Sequence, residues 1–191
     1  MFGIGLGLLF LLFVGLIIVV VGWVIVTYNA LVGLRNQLRN AWSQIDVQLK
    51  RRYDLIPNLV ETVKDYMAYE QDVLTRVTQA RAGAIAAQGP AEQARAENML
   101  TAALRQLFAV VENYPQLKAN ENVMALQEEL TSTENRIAFS RQFYNDTVMR
   151  FNTKLQTFPT NVVAGMLGFT PEQFFETGDE AEREPVKVDL R

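Results

Sequence analysis

Phe2-Gly-Ile-Gly-Leu-Gly-Leu-Leu-Phe-Leu-Leu-Phe-Val-Gly-Leu-Ile-Ile-Val-Val-Val-Gly-Trp-Val-Ile-Val26 is a run of 25 residues with no charge, side-chain amide or hydroxyl. As one helix rising about 1.5 Å per residue it would cover roughly 37 Å, more than the ~30 Å hydrocarbon core of a bilayer. The stretch therefore predicts a transmembrane helix with room to tilt. A cleaved signal peptide would need a basic segment ahead of a shorter apolar core and small residues at a cleavage site, and none of these is evident here. Trp23 and Tyr28 fall at the exit end, where amphipathic rings favour the headgroup level. They set the boundary of the membrane segment, residues 1–27, near Thr27.

Working outward, the first charges are Arg35 and Arg39, and the first acid is Asp46. Positive charge after a charge-free N-terminus favours a cytoplasmic position for the rest of the chain. Gly3 and Gly7 form a small-xxx-small pair, and Gly15 and Gly22 lie seven apart on roughly one face. A second helix could approach closely there. The whole chain carries 18 Lys and Arg against 21 Asp and Glu, a net charge of −3, which argues against nucleic acid as a partner. With no cysteine and no histidine, disulfides, thiolate metal sites, thiol nucleophiles and the commonest general base are all excluded. The expectation is a protein that is not an enzyme and carries no cofactor and no metal.

Beyond the membrane run, Leu31, Leu34, Leu38, Trp42, Ile45, Leu49, Tyr53, Ile56, Val60, Val63, Met67, Leu74 and Val77 recur mostly at three- and four-residue steps, the period of a helix with one buried stripe. One long helix, or two collinear ones, is predicted. Pro57 lacks the N–H that would bond the Tyr53 carbonyl, so a kink or short break is expected there. Gly83 and Gly89-Pro90 bound a loop at a far tip. A second helix opens with Gly89 as cap and Pro90 in its first turn and closes at Tyr114-Pro115. A third, capped by Asn120 or Asn122, ends at Phe158-Pro159, where Pro159 marks a second bend. A short apolar helix from Asn161 to Leu167 stops at Gly168, and Thr170-Pro171-Glu172-Gln173 reads as a capping box opening a last turn. Residues 176–191 are too acidic and too poor in apolar area to order themselves, and read as a tail. No strand-like alternation of useful length occurs. The fold class is all-α: a transmembrane helix followed by an antiparallel up-and-down bundle over residues 28–175.

Tyr28-Asn29-Ala30-Leu31-Val32, Ala41-Trp42-Ser43-Gln44-Ile45-Asp46-Val47-Gln48-Leu49 and Arg51-Arg52-Tyr53-Asp54-Leu55-Ile56-Pro57-Asn58-Leu59-Val60, with Tyr144-Asn145 and Phe158-Pro159-Thr160-Asn161 further on, resemble the signature of the bacterial LemA family. The resemblance covers roughly residues 28–175. It implies a bacterial membrane protein with an up-and-down bundle and no assigned catalytic activity. Many members carry histidine where this chain has Tyr53, so no role needing an imidazole carries over to that position. Some members resemble lipoproteins whose bundle lies outside the cytoplasm, which opposes the arginine argument and leaves the side open.

Three polar clusters invite a functional reading. Lys50-Arg51-Arg52 is the densest basic run, and it reads as a solvated face with Arg52 turned inward to a carboxylate. Glu128, Glu129 and Glu134 lack the Glu-x-x-His partners of a di-metal bundle site. Arg136, Arg141 and Asn145 sit among large apolar residues, and buried polar groups need partners. Asp46, Asp54 and Asn58 on the first long helix are the candidates, in a network that fixes helix register. The expected function is a non-enzymatic scaffold or adaptor in the inner membrane, homo-oligomeric and engaging lipid, with another envelope protein as a further candidate partner. A ligand- or stress-responsive membrane regulator is the alternative.

Overall fold

A computed structural model describes residues 2–67 and 69–175; the tail expected at 176–191 lies outside the described residues. Among the described residues six helices follow one another: α1 Phe2–Lys64, α2 Gln71–Ala86, α3 Pro90–Val111, α4 Pro115–Lys118, α5 Glu121–Gln156 and α6 Thr160–Met166. Among the described residues there is no strand. The protein is all-α, with a long first helix.

Two compact units divide the chain. The first joins Met1–Ala41 to Asp146–Glu172, and the second joins Trp42–Asn145 to the segment from Gln173 onward. In the first, Leu31, Leu38 and Ala41 of α1 are buried, as are Val148, Phe151 and Leu155 of α5 and Val163 and Ala164 of α6. Phe169 completes this core edge-on to Tyr28 at 6.0 Å and to Phe151 at 6.4 Å. From Leu9 to Val26 the large side chains of α1 stand exposed apart from the half-buried Val14 and Val24, and this helix is long and apolar enough to cross a membrane.

The second unit is built on two seams with alternating four- and three-residue steps. On α1 the buried residues are Ile45, Leu49, Arg52, Ile56, Leu59 and Val63; on α3 they are Gln93, Glu97, Leu100, Leu104, Leu107 and Val111, with Ala94 beside the first of them. A seam of this period faces a partner helix along its length. The apolar residues from Ile56 onward share one core with Met67, Val73, Leu74 and Val77. Arg51 and Glu129 add an ion pair between α1 and α5.

The long first helix is interrupted elsewhere than at the proline. Pro57 lies inside α1, and the interruption falls between Lys64 and Gln71, where Met67 N–H closes on the Val63 carbonyl and Glu70 N–H on the Met67 carbonyl, both at 3.1 Å. Neither glycine nor proline marks that turn; Met67, fully buried, ties it to the core. Gly83 is likewise inside α2, which runs on to Ala86.

Other boundaries follow local chemistry. Gly89 adopts a positive φ of 79°, and Pro90 opens α3. The Asn120 carboxamide oxygen accepts from the N–H groups of Asn122 and Val123 at 2.9 and 3.3 Å, satisfying two of the free donors at the start of α5. Pro159 stands at the start of α6. Gly168, φ 70°, ends that helix, letting Phe169 N–H return to the Ala164 carbonyl at 3.0 Å. The capping-box turn expected at Thr170 is absent, since residues 171–175 are not helical. Side chains of α5 hold this backbone instead. In the first unit Asn152 exchanges two 2.9 Å bonds with Glu172. In the second, Asn145 accepts from Phe175 N–H at 2.8 Å and donates to its carbonyl at 3.1 Å.

Candidate functional site

Inside the second unit, Arg52 and Glu97 occupy positions of the two seams where leucine would be ordinary. They are 2% and 0% exposed. Arg52 Nη1 donates to Glu97 Oε2 at 3.0 Å and Nη2 to Thr101 Oγ1 at 2.8 Å. The other carboxylate oxygen, Oε1, accepts from the Tyr53 hydroxyl and, at 3.3 Å, from Gln93 Nε2. Gln93 Nε2 also donates to the Tyr53 hydroxyl oxygen at 2.9 Å and to the Ala84 carbonyl at 3.1 Å. A buried charge pair is tolerable only when its remaining polar valences are met, and here both carboxylate oxygens are engaged.

Burial, and then the Glu97 carboxylate at its hydroxyl, push the Tyr53 phenol far above its ordinary range. Tyr53 therefore stays protonated at any physiological pH and serves as a fixed donor. Its backbone is equally committed. With Pro57 four residues on, the Tyr53 carbonyl has lost its helical N–H, and Arg81 Nε of α2 donates to it at 2.7 Å. Side chain and main chain of one residue thus tie α1 to α3 and to α2.

Beside this network lies a cleft of about 410 Å³ lined by Trp42, Asp46, Lys50, Tyr53, Gln93 and the turn from Ala87 to Gly89, among others. Partial burial raises the Asp46 carboxyl above its ordinary value of 3.8. A polar cleft next to a rigid network can orient a small polar ligand. Among the described residues no group of three or more acidic side chains could share a metal ion.

The polar residues singled out from the sequence separate into different surroundings. Arg52 is in the buried network and Asp46 on the cleft. Asp54 is exposed and pairs with Lys50 at 3.2 Å. Asn58 is exposed, its carbonyl accepting from the Thr62 hydroxyl at 2.7 Å. Arg136 is exposed, near Gln48 and Phe139. Arg141 and Asn145 gather round Phe175, with the Arg141 guanidinium 4.6 Å from the ring centre. In the first unit, Gly3 lies within α1, and at Gly7, Gly15 and Gly22 an added Cβ would meet nothing within 4 Å. Trp23 is exposed and Tyr28 rests on Phe169. Sequence reading missed Glu97, Gln93, Thr101 and Arg81. The signal for the first two was present: the stripe Val111, Leu107, Leu104, Leu100, continued backward in the same steps, lands on Glu97 and Gln93.

Comparison with known proteins adds a family. A model described as the LemA family matches residues 41–190. Protein LemA of Metamycoplasma hominis is 30% identical over 165 residues, spanning 84% of this chain and 73% of that protein. Magnetosome proteins MamQ 1 and MamQ 2 of Paramagnetospirillum magneticum are each 24% identical over 186 residues, spanning 84% of this chain and 68% of theirs.

Proposed function

The chain belongs to the LemA family as a membrane-associated member, and from that premise we propose that it is a non-enzymatic scaffold or adaptor of the bacterial inner membrane that assembles through α1. The observation that carries this reading is an uncovered glycine face. At about 100° per residue, Gly15, Gly22 and Gly33 project within roughly 20° of one another on α1, and nothing lies within 4 Å of a Cβ built at any of them. Small residues aligned this way let helix backbones approach closely in a bilayer. Chains anchored in one plane also meet at raised effective concentration. The buried network supports a structural role for the Arg52–Glu97 pair, because Glu97 is closed to solvent and both its oxygens are occupied.

The test uses the cysteine-free chain. Gly15→Cys and Gly33→Cys variants in native membranes should each give a disulfide-linked dimer, and the protein in mild detergent should have the mass of a multiple. A monomer by both measurements overturns self-assembly. Arg35 and Arg39 favour a cytoplasmic bundle; labelling of Ala87→Cys in intact cells by an impermeant maleimide would overturn that reading.

The polar cleft favours a second reading, a ligand-responsive regulator of a partner protein. Tyr53→Phe and Asp46→Asn variants that still assemble but lose a response to envelope stress would support it.

A further inference from the structure

Apolar surface in the first unit is concentrated at its membrane end. Phe158 is 79% exposed and Met166 81% exposed, with Val162 and Leu167 about half exposed. On α6 the split is by face, with Thr160, Val163 and Ala164 buried and Val162 and Met166, one turn apart, facing out. A short helix with its outer face this apolar has no reason to sit in bulk water.

Its height along α1 is fixed by Phe169. That ring stacks edge-on against Tyr28, two residues past the apolar run, at 6.0 Å, and the Arg35 guanidinium lies 5.1 Å from its centre. Tyr28 and Arg35 are about 10 Å apart along a helix. Met166 is three residues from Phe169, so it lies at most about 11 Å away along the chain. The exposed face is thus held within about 11 Å of a ring that touches Tyr28 and Arg35, just past the apolar run. Charge agrees: the charged side chains of this unit are Arg35, Arg39, Arg150 and Lys154 against Asp146 and Glu172, an excess of bases suited to an anionic lipid surface.

We propose that Phe158, Val162, Met166 and Leu167 form a second membrane contact, seated in the interfacial layer of the same bilayer that α1 crosses. The contact rests on α1 being a membrane span, as read above. It gives the first unit two points of attachment, a span and an interfacial wedge, so that the first unit is held against the bilayer instead of swivelling on one helix.

Single cysteines at Met166, Val162, Ile17 and Asn40 in the full chain, each carrying an environment-sensitive fluorophore, are reconstituted in phosphatidylcholine and phosphatidylglycerol vesicles containing nitroxide-labelled lipid. Ile17 lies in the run and Asn40 is 14 residues past Val26, about 21 Å along the helix. Shallow nitroxide should quench the probe at Met166 and Val162 at least roughly twofold more than at Asn40, as for a helix lying in the interface. Deep nitroxide should quench Ile17. Quenching at Ile17 with Met166 no different from Asn40 overturns the contact and leaves the span intact. Loss of quenching at Ile17 overturns the span and the contact together. Met166→Cys that escapes lipid quenching yet forms disulfide-linked dimers overturns the contact in favour of a second copy of this chain.

Discussion

Arg52 and Arg141 are both withdrawn from water in the second unit, yet the protein treats them in opposite ways. Arg52 on α1 meets a buried carboxylate and a hydroxyl through its two terminal nitrogens. Arg141 on α5 lies over the Phe175 ring at 4.6 Å, and its Nε is buried without a hydrogen-bond partner. Burial lowers the Arg141 guanidinium from its usual range, while Glu97 pulls it up and Arg52 pushes it down. One arginine is locked into a closed set of partners, the other is held by a ring that caps it. The first kind of site fails abruptly when a partner is removed, and the second yields gradually.

The largest expected effect breaks the first site. Glu97→Leu would leave Arg52 charged, buried and unpaired, a change that costs about 3–5 kcal/mol. Replacing both members, Arg52→Met with Glu97→Leu, should recover most of that loss, since apolar pairs of similar volume often match a buried ion pair. Urea unfolding in mild detergent can be followed by Trp42, whose ring lies 5.3 Å from Tyr144 and 6.0 Å from Phe175, in a Trp23→Phe background. A double variant as unstable as the single one would show that the pair does more than neutralise itself.

A third guanidinium sharpens the comparison. Arg81 serves the Tyr53 carbonyl that Pro57 leaves free, so Arg81→Met should cost about 1–2 kcal/mol. In a Pro57→Ala background the backbone N–H of residue 57 can take over, and the same substitution should cost clearly less. Equal costs in the two backgrounds would separate Arg81 from the proline.

How far the sequence could be read depends on which residues occupied the seams. The helix over the N-terminal apolar run, the caps at Gly89-Pro90 and Asn120, and the stop at Gly168 rest on local chemistry, and each appears where that chemistry puts it. The stripe on α1 was traced through Tyr53 and Val60 because apolarity was the guide. The buried line instead passes through Arg52 and Leu59; the inward turn of Arg52 is legible only from the basic run that contains it, and a charged residue in a seam is invisible to a hydrophobic count. Glu97 was missed for the same reason. Pro57 does not break α1; the Tyr53 carbonyl it leaves free accepts from Arg81, 24 residues beyond the proline, a tertiary fact no local rule contains. The turn at 65–70 has no punctuating residue at all, and only the packing of Met67 reveals it.

Arg141 should show the gentler response. Arg141→Met keeps much of the stem packing and removes a cation whose attraction to one ring is worth about 0.5–2 kcal/mol against the relief of its desolvation. The net change in urea midpoint should be well below that of Glu97→Leu. A loss as large as the latter would mean that Arg141 has a carboxylate partner of comparable importance.

Asp46 carries the smallest effect and the one with a distinctive pH signature. Burial alone raises its carboxyl above 3.8, so between that value and the folded one the native state holds more proton than the unfolded state. Stability must therefore fall as pH rises through this window and stay at its lower level above it. Asp46→Asn removes the ionisable group and keeps its size. The variant should match the parent near pH 3, where both side chains are neutral, and be slightly more stable near pH 7, by an amount kept small because Asp46 is largely solvent-exposed. Urea midpoints of both chains, read through Trp42 at the two pH values, give the sign directly. A parent that instead gains on the variant as pH rises would mean that a charge such as Lys50, also on the cleft, governs Asp46 more than burial does, and the cleft would then be an electrostatically closed surface instead of one poised to accept a polar group.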